Sequence, residues 1–243
     1  MTTVELIAVA GAVFVAALVQ VLSGFGFALL SVPLMTLAVD TREAVVISTL
    51  LGMGVTTWQA WHLREHAVKP LANRLIAAAY VGMPLGLLVF ITVDDRVLRL
   101  VLGVAVLVAV GLLMVRVDLS GAPRSFDLGL GFVSGVLNTS LSTNGPPLAF
   151  ALQARQLQPD AFRATINRVF AFSNLVGVTL FLVAGKITAH GLLGAAVALP
   201  ALFLGQACGY PLRRHVSPQR FRVLVLVLLV VAACSAIASA LRG

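Results

Sequence analysis

The sequence predicts an all-α polytopic membrane protein: about eight transmembrane segments in two four-segment repeats, with a broken or re-entrant helix opening each half. Three observations carry this. The 243 residues are 60% hydrophobic and only 11% charged, where an ordinary soluble domain is about a quarter charged. Eight stretches lack Asp, Glu, Lys and Arg altogether: 6–39, 44–63, 75–93, 100–115, 128–154, 169–185, 187–212 and 223–241. Each is of the order of the ~20 apolar residues that cross a hydrocarbon core. Two of the stretches are oversized and each heads a set of four, so a long–short–short–short pattern occurs twice. The alternating segments of about ten residues that mark a strand barrel are absent. The composition excludes a disordered chain, a nucleic-acid binder and a normal cytosolic enzyme. The net charge of +8 comes from basic residues spaced singly between apolar runs, which orient a membrane protein rather than grip a nucleic acid.

Taken in order, the first stretch would form a helix about 50 Å long against about 30 Å of hydrocarbon. It contains Gln20, Ser23-Gly24-Phe25-Gly26 and Pro33. Glycines weaken a helix and proline removes a backbone donor, so Ser23-Gly24-Phe25-Gly26 is expected to be non-helical. The stretches 44–63 and 100–115 are plain apolar segments. Between them, 75–93 carries Gly82-x-x-x-Gly86, a spacing that lets helix backbones approach closely. The fifth stretch is interrupted by Asn138-Thr139-Ser140-Leu141-Ser142-Thr143-Asn144-Gly145-Pro146-Pro147. Asn144-Gly145-Pro146-Pro147 is expected to be non-helical, because proline biases the preceding residue away from the helical region. Irregular backbone at membrane depth persists only where protein or a watery cavity surrounds it, so the two breaks are expected to face one another near the bilayer centre. Arg168, at the start of the sixth segment, is the cation best placed to reach an anion. The seventh carries Gly205-x-x-x-Gly209 and the eighth closes the chain. Cys208 and Cys234 fall in apolar runs without metal or disulfide spacing and are expected as buried small hydrophobes. His62, His66, His190 and His215 lie at segment ends, as solvated interfacial residues do. The opening Met-Thr-Thr-Val-Glu lacks the basic start of a signal peptide, so no cleavage is expected.

The halves, 1–118 and 124–243, correspond in detail. Gly26 matches Gly145 at an offset of 119, and Gly82-x-x-x-Gly86 matches Gly205-x-x-x-Gly209 at 123. Val93-Asp94 and Leu98-Arg99 match Val216-Ser217 and Phe221-Arg222 at the same 123. Repeats with a substrate site at their interface characterise secondary transporters. Counted over eight crossings, ten basic residues fall on one side and seven on the other. That bias puts both termini outside the cytoplasm.

All nine Asp and Glu lie at segment ends or in loops. Cation carriers and proton pumps keep carboxylates in the membrane, so the expected substrate is a small anion. Helix N-termini, hydroxyls and amides would hold it. The candidate substrate-binding residues are Gln20, Ser23, Gly24, Phe25, Gly26, Asn138, Thr139, Ser140, Ser142, Thr143, Asn144, Gly145, Pro146 and Arg168. No metal ligands or cofactor motif are present. The bilayer is the expected environment, and pairing into a homodimer is a further expectation.

Ser23-Gly-Phe-Gly-Phe27 with Pro33, and Gly131-x-x-Ser-Gly135 with Thr139-Ser140 and Asn144-Gly145-Pro146-Pro147, resemble the motifs of the sulfite exporter TauE/SafE family. The resemblance covers essentially the whole chain. It implies secondary transport, by export across the plasma membrane, of a small sulfur-containing anion such as sulfite or an organosulfonate. An anion or small-solute channel is the alternative that the same features allow. An intramembrane enzyme is disfavoured, since no His or carboxylate inside the runs could activate the serines.

Overall fold

The computed structural model describes residues 1–114, 121–212 and 218–242, without the side chains of Ser23, Leu113, residues 218–225 and Arg242. Asp118 at the boundary of the halves, His215 and the Val216-Ser217 match lie outside the described residues. Ten α-helices fill the rest: α1 (Thr3–Ser23), α2 (Phe27–Met35), α3 (Thr41–His62), α4 (Lys69–Thr92), α5 (Asp95–Met114), α6 (Arg124–Leu141), α7 (Gly145–Ala154), α8 (Pro159–Val183), α9 (Ala189–Leu212) and α10 (Pro218–Arg242). There is no strand among the described residues. Four helices, α1, α4, α8 and α9, are long and apolar enough to cross a bilayer by themselves.

Local chemistry sets where helices begin and stop. Thr2 caps α1 in a capping box: its Oγ1 accepts from Glu5 N at 3.3 Å, and Glu5 Oε2 accepts from Thr2 N at 2.8 Å. α1 stops because Gly24 and Gly26 take φ of +87° and +97°, where an L side chain is strained. α6 stops at Ser142, which adopts φ +57° without being glycine. The expected non-helical stretch at Asn144–Pro147 is corrected by the structure. The break is Ser142–Asn144, and Gly145, Pro146 and Pro147 form the first turn of α7. Proline's missing N–H costs nothing at a helix start, and its fixed φ favours one. Ser23, likewise expected in a break, is the last residue of α1.

Each broken run is a hairpin and not a straight crossing. Glu5 near the start of α1 and Leu37–Asp40 after α2 line one cavity with Glu43 and Arg99, so α2 returns to the face where α1 began. Asp127 in the first turn of α6 pairs with Arg155 at the end of α7 at 3.0 Å, so α7 also returns, on the opposite face. Six helices, α3, α4, α5, α8, α9 and α10, run from face to face. Of the two forms expected for the runs that open each half, broken or re-entrant, both runs thus take the re-entrant one, and six helices join the two faces of the bundle. Run length cannot distinguish a bent span from a return. Thr3 and the last turn of α10 share one face, here the terminal face: Arg96, in the first turn of α5, donates from Nε to Ala240 O at 2.7 Å. The other is the far face.

α1 packs on α9, and α6 packs on α4; α3 packs on α8, and α5 on α10. Gly82 and Gly86 meet the backbone of α6 at Phe132 and Val136, and Gly205 meets Phe14 O on α1, where an added Cβ would come within 2.5 Å. These small residues set the two tightest helix crossings. Cys208 and Cys234, expected buried, are exposed on outward faces of α9 and α10.

Candidate functional site

The two hairpin tips and the middles of α3 and α8 enclose a cavity of about 30 Å³. Of the sequence candidates, Gln20, Gly26, Ser142, Asn144 and Gly145 line it. Joining them are Phe27, Ala28 and Leu29 from the first turn of α2, with Ser48, Gly52, Thr56, Phe170 and Asn174. No charged side chain lines it.

Its electrostatics come from backbone. α2 starts at Gly26 with no side-chain cap. The first intrahelical bond is Leu30 N to Gly26 O at 3.2 Å, which leaves the N–H groups of Phe27, Ala28 and Leu29 without helical partners. α7 also starts uncapped, at Asn144. Two helix N-termini thus deliver positive dipole potential to one cavity. Asn144 is 5% exposed and its Nδ2 has no hydrogen-bond partner among the described residues. An orphaned buried donor costs about 1–3 kcal/mol, so its retention in the lining points to a ligand that accepts from it.

Hydrogen bonds between elements hold the lining. Asn138 Nδ2 donates to Asn174 Oδ1 at 3.1 Å, and Asn174 Nδ2 to Thr56 Oγ1 at 3.4 Å, linking α6, α8 and α3. Toward the terminal face, the hydroxyls of Thr49 and Ser142 lie 3.0 Å apart, as do those of Ser31 and Ser48. Toward the far face, Gln20 Nε2 donates to Gln59 Oε1 at 3.5 Å. Beyond that contact lies a second cavity of about 260 Å³, lined by Gln20, Gly24, Gln59, His62, Arg163, Asn167 and Tyr210 among others. The side chain of Arg163 lies over Gly24, where a Cβ would come within 3.0 Å of its Nε.

The remaining candidates sit around the cavity or away from it. Gly24 gives its carbonyl to Asn167 Nδ2 at 3.4 Å. Phe25 packs edge-on against Phe162. Thr139 donates to Met83 O on α4 at 2.6 Å, and Ser140 to Val136 O within α6 at 2.7 Å, so both hydroxyls are bonded to backbone carbonyls. Thr143 is buried with its Oγ1 unpartnered, and Pro146 is buried in the first turn of α7. The Ser23 side chain lies outside the described residues. Arg168 is not brought to the breaks; it lies over the Phe172 ring in a separate groove. Sequence reasoning missed Ser48, Thr49, Gly52 and Thr56 on α3, and Asn167, Phe170, Asn174 and Gly177 on α8. Their spacing by three and four was the available signal: it puts small and polar residues on one helix face. It also missed Asp127, placed at a segment end but fully buried between Arg74 and Arg155, each at 3.0 Å.

The sequence profile of the sulfite exporter TauE/SafE family matches residues 9–236. Over 108 residues, 44% of this chain, it is 34% identical to a probable inner membrane transporter protein TsaS of Comamonas testosteroni, and the match covers 45% of that protein. No solved structure matches the chain. With both helix breaks inside the matched region, and that region reaching from the first half of α1 to the last turns of α10, the chain belongs to the sulfite exporter TauE/SafE family, whose members are membrane transporters and not enzymes.

Proposed function

We propose that this protein is a secondary transporter that exports a small sulfur-containing oxyanion, sulfite or a sulfonate, across the inner membrane. The observation that carries the reading is the cavity onto which two uncapped helix N-termini and the unpaired Asn144 amide open. α2 supplies the free N–H groups of Phe27, Ala28 and Leu29, α7 only that of Gly145, because Pro146 and Pro147 have none, and Asn144 its amide; none supplies a full charge. An anion leaving water needs its hydration replaced, and neutral donors replace it without the tight grip of a buried cation. The family's name and the relative's description support the substrate class and the membrane.

The halves, 1–118 and 124–243, are an inverted repeat in this reading. Exchanging α1 with α6, α2 with α7, α3 with α8, α4 with α9 and α5 with α10 maps the packing pairs onto one another, and each half begins on the opposite face. Alternating access then opens one barrier at a time. Thr49–Ser142 is the barrier toward the terminal face and Gln20–Gln59 the one toward the far face. Five of the 17 Lys and Arg belong to the terminal face: Arg42, Arg96, Arg99, Lys186 and Arg242. Nine others among the described residues belong by chain position to the far face. Basic loops stay cytoplasmic, so the far face is cytoplasmic and both termini are outside. Efflux of sulfite from proteoliposomes tests the reading, with saturation and competition by taurine, thiosulfate and sulfate as readouts. Flux that is linear in concentration and indifferent to competitors would assign a channel instead.

A further inference from the structure

Arg168 is not absorbed by the central cavity and belongs to a different constellation. Its guanidinium carbon lies 5.3 Å from the centre of the Phe172 ring, and Nη2 reaches Asn73 Oδ1 at 3.5 Å. Its buried Nε has no hydrogen-bond partner among the described residues. Arg64, just past the end of α3, stacks on Trp61 at 4.6 Å. Both arginines line one open groove of about 920 Å³ between α3 and α8. Its floor and walls are apolar, with Met53, Trp58, Trp61, Phe172 and Leu175 among them, and no carboxylate lines it.

We propose that this groove is a binding site for an anionic phospholipid of the leaflet at the far face, independent of the transported substrate. The groove has the dimensions of a lipid. From Arg64 inward to Met53, the helix rise amounts to about 16 Å, roughly half the thickness of the hydrocarbon core. Arginine heads at one end and an apolar trough below them match a phosphate above acyl chains. Trp58 and Trp61 are 59% and 66% exposed at the level where indole rings anchor at the membrane interface. A second copy is the poorer occupant. A two-fold axis along the membrane normal would bring the arginines of both copies together with no carboxylate between them.

Trp58 and Trp61 are the protein's only two tryptophans and both line this groove; Trp58 also borders the far-face cavity, so tryptophan emission reports on the groove and, through Trp58, on its boundary with that cavity. The protein is reconstituted in vesicles of equal phosphatidylcholine and phosphatidylglycerol, with one lipid or the other brominated as a quencher. A basic residue near the surface contributes about a fivefold preference for anionic lipid, so brominated phosphatidylglycerol should be favoured by on the order of tenfold. Replacing both arginines, Arg64→Gln with Arg168→Gln, should bring the two lipids to parity, quenching by brominated phosphatidylglycerol falling and quenching by brominated phosphatidylcholine rising until they are equal. Summed quenching by the two lipids that stays at the wild-type level shows that the variant is still folded. Equal quenching by both lipids in the wild type would overturn the proposal, as would a preference that survives the double substitution. Quenching by neither lipid, with disulfide cross-linking of Trp61→Cys between copies, would give the groove to a second protomer and overturn it as well.

Discussion

Asn144 is the residue whose chemistry is least explained by packing. Its amide nitrogen is buried and unpaired in a cavity that holds no charge. A hydrogen bond to a charged group is worth about 1.5–3 kcal/mol, so Asn144→Ala should lower sulfite flux by roughly tenfold or more. Arg168→Gln, in the separate groove, should leave flux near wild type once normalised to folded protein. The reverse pattern would mean that an ion pair carries recognition. Asp127 plays an opposite, purely structural part. It is fully buried and tied to Arg74 on α4 and Arg155 at the end of α7. Breaking a buried pair costs about 3–5 kcal/mol, and the partly exposed arginines put Asp127→Asn at the low end. Its apparent unfolding midpoint in detergent should fall while the KM for sulfite in the surviving protein stays unchanged.

Helices and their breaks carry the next level of argument. Gly26 separates backbone strain from crowding, because a Cβ there meets nothing within 4 Å although φ is +97°. Gly26→Ala should therefore cost only the left-handed penalty of about 1–2 kcal/mol. Gly86→Ala drives a Cβ into Val136 O and the Thr139 hydroxyl across the α4–α6 crossing. It should lower folded yield far more than Gly129→Ala, which meets nothing within 4 Å. Thermal midpoints and gel-filtration yields of the three variants, measured together, check the ranking; equal yields would show that the crossing tolerates separation. The positions of both breaks were legible in the sequence to within about three residues, since glycines and prolines act on their own backbone. The prolines misled at Gly145–Pro147, because the same fixed φ that disrupts a helix interior starts one.

For the whole molecule, the decisive question is which face each connection occupies. Six passes and two hairpins place Asp40 on the terminal face and Glu65 on the far face; eight crossings would reverse both. Asp40→Cys and Glu65→Cys, each made in a chain with Cys208 and Cys234 replaced by alanine, distinguish the two. In intact cells a membrane-impermeant maleimide should label position 40 and spare position 65. With the termini outside, labelling of position 65 alone would restore eight crossings; the same labelling with the termini inside would instead keep the six passes and exchange the assigned faces.

Composition, helix breaks and the glycine crossings were determined by the sequence alone, because each is a local property: hydropathy acts residue by residue, and a helix stops where its backbone is free to leave it. The tertiary structure decided the direction the chain takes after each break. A broken helix imposes no heading on the next helix. α2 is turned back by packing on α3 and α10, and α7 by packing on α5, α6 and α8. The same non-local packing aims the polar stripes of α3 and α8 at the cavity and leaves Arg168 outside it. Spacing along the chain shows which side chains share a helix face, but only the neighbours packed against that face decide what it meets.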